Sequence, residues 1–95
     1  AYRITNSAFN NFKVHLPLNL YNVTSELMFE LYALYLRMLS VYHNSLPYLF
    51  LYKLEGRILS MASLRKRVKF LKSVLNTELK NSVWRRGFKH GLKEF

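Results

Sequence analysis

The chain has 95 residues, of which 51% are hydrophobic and 16% aromatic, and it carries 15 Lys and Arg against five acidic residues for a net charge of +10. This length predicts one small domain, and the apolar content excludes a disordered basic tail. Cysteine is absent, which excludes disulfide frameworks, thiolate metal sites and cysteine nucleophiles.

Positive charge is concentrated in the C-terminal part of the chain. Residues 1–56 have a net charge of +1, whereas residues 57–95 carry 11 bases and two glutamates, a net of +9. A field of one sign on part of a small protein attracts polyanions, so nucleic acid and anionic lipid are the candidate partners. The apolar runs are too short for a membrane span, and no secretory signal is recognisable. Of the two candidates we favour nucleic acid over membrane association.

Residues 1–22 show no sustained hydrophobic period and contain several asparagines and Pro17. They predict an extended arm that docks on a partner through apolar anchors such as Phe9 and Phe12, or else a flexible terminus.

The pattern of residues 26–43 predicts a first helix, which begins near Thr24 or Ser25. Its apolar positions recur every three or four residues, namely Leu27, Leu31, Leu34, Met38 and Val41. Tyrosines, leucines and methionines also fill most of the remaining circumference, including Tyr32 and Tyr35. Because one partner helix buries only one stripe, we expect this helix to contact other chains as well.

Residues 47–54 are predicted to resume a helix, offset by a kink near Pro47. Gly56 marks the turn that follows, since it tolerates a left-handed backbone without steric cost.

A second helix is predicted over about 58–82. Its apolar stripe consists of Leu64, Val68, Leu71, Leu75 and Leu79. The flank beside this stripe is basic and carries Arg65, Lys66, Lys69, Lys72 and Lys80. Such a ridge can follow a phosphate backbone while its other side packs, although a solvated charged face is the alternative.

Residues 83–95 form a basic-aromatic tail, in which Trp84 lies beside Arg85, Arg86 and Lys89. Guanidinium groups and rings in this arrangement suit splayed RNA bases. The expected fold is therefore all-α: an antiparallel two-helix hairpin over 23–82, an extended arm over 1–22 and a basic tail over 83–95.

Residues for catalysis do not cluster in the sequence. The glycines at 56, 87 and 91 are isolated, the histidines at 15, 43 and 90 are far apart, and no nucleophile-base pair is recognisable. We expect no enzyme, no cofactor, no metal and no small-molecule substrate.

The segment Leu64–Leu75 (LRKRVKFLKSVL) resembles the second helix of large-subunit ribosomal protein twenty-nine. Arg65 and Lys66 match its basic doublet, and Val68 matches the aliphatic position that follows. Val23–Leu27 (VTSEL) is similar to the capped start of its first helix. The chain departs from the family at Pro47, in the apolar surface of the first helix, in a shortened loop and in the terminal extensions.

The resemblance implies an α-hairpin on the ribosomal large subunit near the exit of the peptide tunnel. It implies that ribosomal RNA is bound by Arg65, Lys66, Lys69 and Lys72, and it implies no catalytic role. The charge map adds five further RNA-binding candidates, Arg57, Lys80, Arg85, Arg86 and Lys89. Apolar extensions fit a mitochondrial ribosome in the matrix, with neighbouring proteins contacted through Phe9, Phe12, Tyr32, Tyr35 and Trp84.

Two other functions stay open. Leu34-Tyr35-Leu36-Arg37 is similar to the Leu-Tyr-Arg motif of helical accessory subunits of mitochondrial inner-membrane complexes, although the extra Leu36 interrupts the motif. Such a subunit could place its basic end on cardiolipin-rich membrane. A free DNA-binding module ranks last, because no recognition-helix pair with a short turn is visible.

Overall fold

The computed structural model describes residues 2–15, 23–43 and 50–78. Within these ranges the chain forms three helices and one mixed three-stranded sheet. In chain order the elements are β1 (Tyr2–Arg3), α1 (Asn6–Val14), α2 (Ser25–His43), β2 (Leu51–Leu54), β3 (Arg57–Ser60) and α3 (Met61–Glu78). The prediction of an all-α two-helix hairpin with an extended arm is therefore wrong.

The N-terminal segment is a strand and a helix that join the core. Thr5 has an extended backbone (φ −79°, ψ 151°) and its hydroxyl accepts a hydrogen bond from the Ala8 amide, which caps α1. Phe9 and Phe12 lie three residues apart on one face of α1, and each is 4% exposed. This aromatic face gives the segment a packing surface that an extended arm lacks.

Helix α2 begins and ends close to the predicted bounds. The Leu27 amide donates to the Thr24 hydroxyl at 3.2 Å, so Thr24 rather than Ser25 is the cap. Leu31 and Leu34 are buried, as the spacing predicted, and so is Leu36. Other parts of the same chain cover these side chains in a single core cluster. The buried α2 side chains that the structure describes are therefore covered without another chain.

A β-hairpin separates α2 from α3, where the sequence predicted a resumed helix. In β2, Tyr52 and Leu54 are 1% exposed and alternate with exposed neighbours, which is the period of a strand. Glu55 and Gly56 both have positive φ, 44° and 76°. Two such residues form the type I′ turn whose twist suits a two-residue hairpin. The left-handed backbone predicted at Gly56 is confirmed, but it joins two strands.

The sheet has the order β1-β2-β3, with β1 parallel and β3 antiparallel to the central β2. Tyr2 pairs with Tyr52 across the parallel ladder, and the Ile4 amide donates to the Lys53 carbonyl at 2.7 Å. A parallel pair needs a long crossover, and α1 and α2 lie within that connection. The inner face of the sheet packs into the core, and Lys53 and Ile58 occupy neighbouring positions on the outer face.

Helix α3 begins at Met61 rather than 58, because residues 58–60 complete β3. The Ser63 amide donates to the Ser60 hydroxyl at 3.1 Å across this junction. Leu64, Leu71 and Leu75 are at most 3% exposed and Val68 packs beside them, so the predicted apolar stripe is confirmed over these positions. Position 79 of the stripe lies outside the described residues. None of the helices among the described residues is long and apolar enough to span a membrane.

Candidate nucleic-acid interface

The exposed side of α3 carries four cations. Arg65, Lys66, Lys69 and Lys72 are all exposed, on the side of the helix away from the buried leucines. At about 100° per residue they cover an arc of about 120°, and they extend over about 10 Å of helix axis. We call this surface the basic arc.

No acid whose side chain the structure describes forms an ion pair with the basic arc. The side chains of these four residues form no ion pair or hydrogen bond with any residue that the structure describes. Lys69 lies four residues after Arg65 and three residues after Lys66. Lys72 follows Lys69 by another three residues. Like charges at these spacings repel on a helix surface by a few tenths of a kcal/mol per pair. A bound polyanion would remove this repulsion.

Arg67 lies on the opposite flank of α3 and has a different role. Its Nε donates to Glu30 Oε2 on α2 at 3.1 Å. Its guanidinium carbon lies 4.7 Å from the centre of the Phe70 ring. The pair is partly exposed, with 47% of the Arg67 side chain and 15% of the Glu30 side chain accessible, so its energetic contribution is modest. Arg67 is thereby held between α2 and Phe70.

Arg57, a predicted RNA-binding residue, does not join the basic arc. It lies on β3, and its Nη1 donates to the Ser25 carbonyl at 3.3 Å. Its guanidinium carbon is 5.5 Å from the Phe29 ring centre and 6.0 Å from that of Phe9. These contacts connect β3 with the two N-terminal helices, which is an internal structural role.

Three of the aromatic residues predicted to contact neighbouring proteins lie in the core. Phe9, Phe12 and Tyr32 are each no more than 6% exposed, and the Phe12 and Tyr32 ring centres are 4.6 Å apart. Tyr35 is half-buried, with its ring centre 5.2 Å from that of Phe12. Burial raises the pKa of Tyr32, and nearby Tyr2 and Tyr35 raise it further. The remaining predicted contacts, Lys80, Trp84, Arg85, Arg86 and Lys89, lie outside the described residues.

Sequence reasoning missed two exposed features. Phe70 is 49% exposed although it belongs to the same helix as the packing stripe. On the outer face of the sheet, Arg3 and Lys53 are exposed neighbours in the parallel register. The helical period already indicates the exposure of Phe70, because it places Phe70 about 100° from the buried Leu71 on the helix. The second required recognition of the strands.

Among the residues that the structure describes, no group of three or more His, Cys, Asp or Glu is placed to hold a metal ion.

Comparisons with known proteins give no relative. No protein-family model matches the chain, and no curated protein or solved structure matches it.

Proposed function

We propose that this protein is a non-catalytic RNA-binding protein, a structural constituent of the ribosomal large subunit in the mitochondrial matrix. The observation that carries the proposal is the basic arc of α3, which presents four exposed cations without a counter-charge from the described residues. Ribosomal RNA is a polyanion that supplies the missing negative charge.

The way in which α3 is held supports a phosphate partner. Leu64 and Leu71 are 0% exposed, so the helix is fixed to the core along its length. The cations on its outer side then keep their backbone positions before any ligand arrives. A preorganised surface of this kind loses less conformational entropy when it binds.

The same arrangement disfavours an anionic membrane as the partner. A helix that lies in a bilayer interface inserts an apolar face among the lipids. The apolar stripe of α3 is already used inside the protein, because Leu64, Leu71 and Leu75 are buried. The exposed side offers mainly charge, which suits phosphates along a nucleic acid.

Membership of the family of ribosomal protein twenty-nine stays a prediction. The strands β2 and β3 lie between α2 and α3, and they are not part of the two-helix hairpin that the resemblance implied. We base the proposal on the charge of α3, which does not depend on that architecture.

The salt dependence of RNA affinity tests the proposal. Four phosphate contacts give a slope of log affinity against log salt of about −3 to −3.5, a loss of roughly 50- to 150-fold between about 50 and 200 mM salt. The double variant Lys69→Gln/Lys72→Gln should reduce the magnitude of the slope by about 1.5. The matched control is Arg3→Gln/Lys53→Gln, which removes the same charge from the outer face of the sheet and should leave the slope nearly unchanged.

Equal slopes for wild type and the α3 variant would contradict the proposal. So would stronger binding to cardiolipin vesicles than to ribosomal RNA fragments at the same ionic strength. In mitochondrial extracts the chain should sediment with the large subunit, and nuclease treatment should release it. Co-purification with respiratory complexes that is insensitive to nuclease would contradict the ribosomal assignment.

A further inference from the structure

We propose that Phe70 is a stacking platform for an unpaired base of the bound RNA, so that the basic arc selects single-stranded segments over duplex. This inference rests on the proposed RNA-binding function and specifies its ligand. The observation behind it is an exposed aromatic ring beside the basic arc that Arg67 contacts on one side.

One side of the Phe70 ring is occupied within the protein. The Arg67 guanidinium carbon lies over the ring at 4.7 Å from its centre. Arg67 is itself held by Glu30 at 3.1 Å, across the junction between α2 and α3. Phe70 nevertheless remains 49% exposed, so the contact with Arg67 leaves a large part of the residue accessible. That surface is flat and apolar and is open to a ligand.

Phe70 adjoins the basic arc. Lys66 lies four residues before it and is therefore its neighbour on the helix surface, and Lys69 precedes it directly. Both lysines are exposed. A strand whose phosphates contact the arc would carry its bases close to the ring. Aromatic rings beside a positively charged groove are the usual means by which proteins bind single strands with little sequence preference.

The Phe70 ring is suited to stacking because Arg67 and Glu30 restrict its motion. An exposed phenylalanine with a freely rotating side chain would lose rotamer entropy when a base bound it. The cation–π contact with Arg67 restricts the ring in advance, and the ion pair with Glu30 restricts Arg67. In an A-form duplex, the bases are stacked on one another and do not offer a free face.

The test measures the affinity of the protein for a single-stranded RNA of about 12 nucleotides and for the same strand in a duplex. The strand carries 2-aminopurine near its centre. Phe70→Leu keeps the residue apolar but removes the flat ring. It should weaken single-strand binding roughly 5- to 30-fold, which corresponds to about 1–2 kcal/mol, and leave duplex binding almost unchanged. It should also reduce the change in 2-aminopurine fluorescence that the wild-type protein causes on binding, whereas Phe70→Trp should retain both the affinity and a fluorescence change. The control Phe50→Leu alters another exposed aromatic side chain, which lies just before β2 and not on α3, and should change neither.

Different outcomes separate this inference from the proposed function. If Phe70→Leu weakens single-strand and duplex binding equally, or leaves the protein-induced change in 2-aminopurine fluorescence unaltered, the stacking platform is refuted. In that case, a flattened salt slope for Lys69→Gln/Lys72→Gln would still support RNA binding by the basic arc. If the wild-type protein binds neither RNA, both proposals are refuted.

Discussion

The clearest test of the packing is Leu71→Ala in α3. Leu71 is 0% exposed and belongs to the single core cluster. The substitution removes three carbon atoms, which at about 0.8 kcal/mol per buried methylene gives a transfer cost of about 2.4 kcal/mol. Incomplete collapse of the cavity raises the total, and buried Leu-to-Ala changes cost about 2–5 kcal/mol. We expect a loss of about 3 kcal/mol in the free energy of unfolding.

Urea unfolding followed by far-ultraviolet circular dichroism measures this loss. With an m-value of about 1.5 kcal/mol/M for a small domain, the midpoint should fall by about 2 M urea. Leu51→Ala is the matched control, because Leu51 is 38% exposed on β2 and the same atoms are removed. That change should cost less than about 1 kcal/mol.

Equal midpoints for the two variants would refute the assignment of the buried side of α3. The orientation of the basic arc would then also be wrong, because Leu71 and the four cations are placed on opposite sides of the same helix. A large loss for Leu71→Ala, with a small one for Leu51→Ala, would support both.

Two further predictions concern the hairpin and the core. Gly56→Ala should cost about 1–2 kcal/mol of stability, because Gly56 has φ +76° and a left-handed backbone is unfavourable for alanine. A Cβ at this position would meet no atom within 4 Å, so no steric clash adds to that cost. A much larger loss measured by urea unfolding would therefore contradict the turn geometry. The raised pKa of Tyr32 means that the folded state holds the phenol proton more tightly than the unfolded state. Its contribution to stability is therefore complete below pH 10.0, the usual pKa, and is lost as the pH rises through the folded pKa. Tyr32→Phe should reduce the alkaline fall of the urea midpoint, and an unchanged pH profile would count against this account.

The helices α2 and α3 could be predicted because their signals are local. Thr24 precedes a long apolar period, and the stripe from Leu64 to Leu75 repeats every three or four residues. The exposure of Lys69 and Lys72 follows from the same period. Each of these features is determined by residues within a single helix, so the local sequence is sufficient to predict it.

The strands were missed for two physical reasons. The run containing Tyr52 is short and apolar, and such runs fit a buried helix or a strand equally well until the two-residue turn at Glu55 and Gly56 is recognised. The parallel pairing of Tyr2 with Tyr52 is a long-range contact, and no local pattern specifies it. Phe9 and Phe12 share one face of a helix of only nine residues, which is too short to show a sustained hydrophobic period.

Ultraviolet cross-linking of the chain in its native particle, followed by mass spectrometry of the adducts, tests the central claim most directly. The account predicts nucleotide adducts on peptides from residues 61–78, with Phe70 and the adjacent Lys69 as the principal sites. Nucleotide adducts confined to other segments, with the lysines of α3 cross-linked only to protein neighbours or lipid, would contradict it.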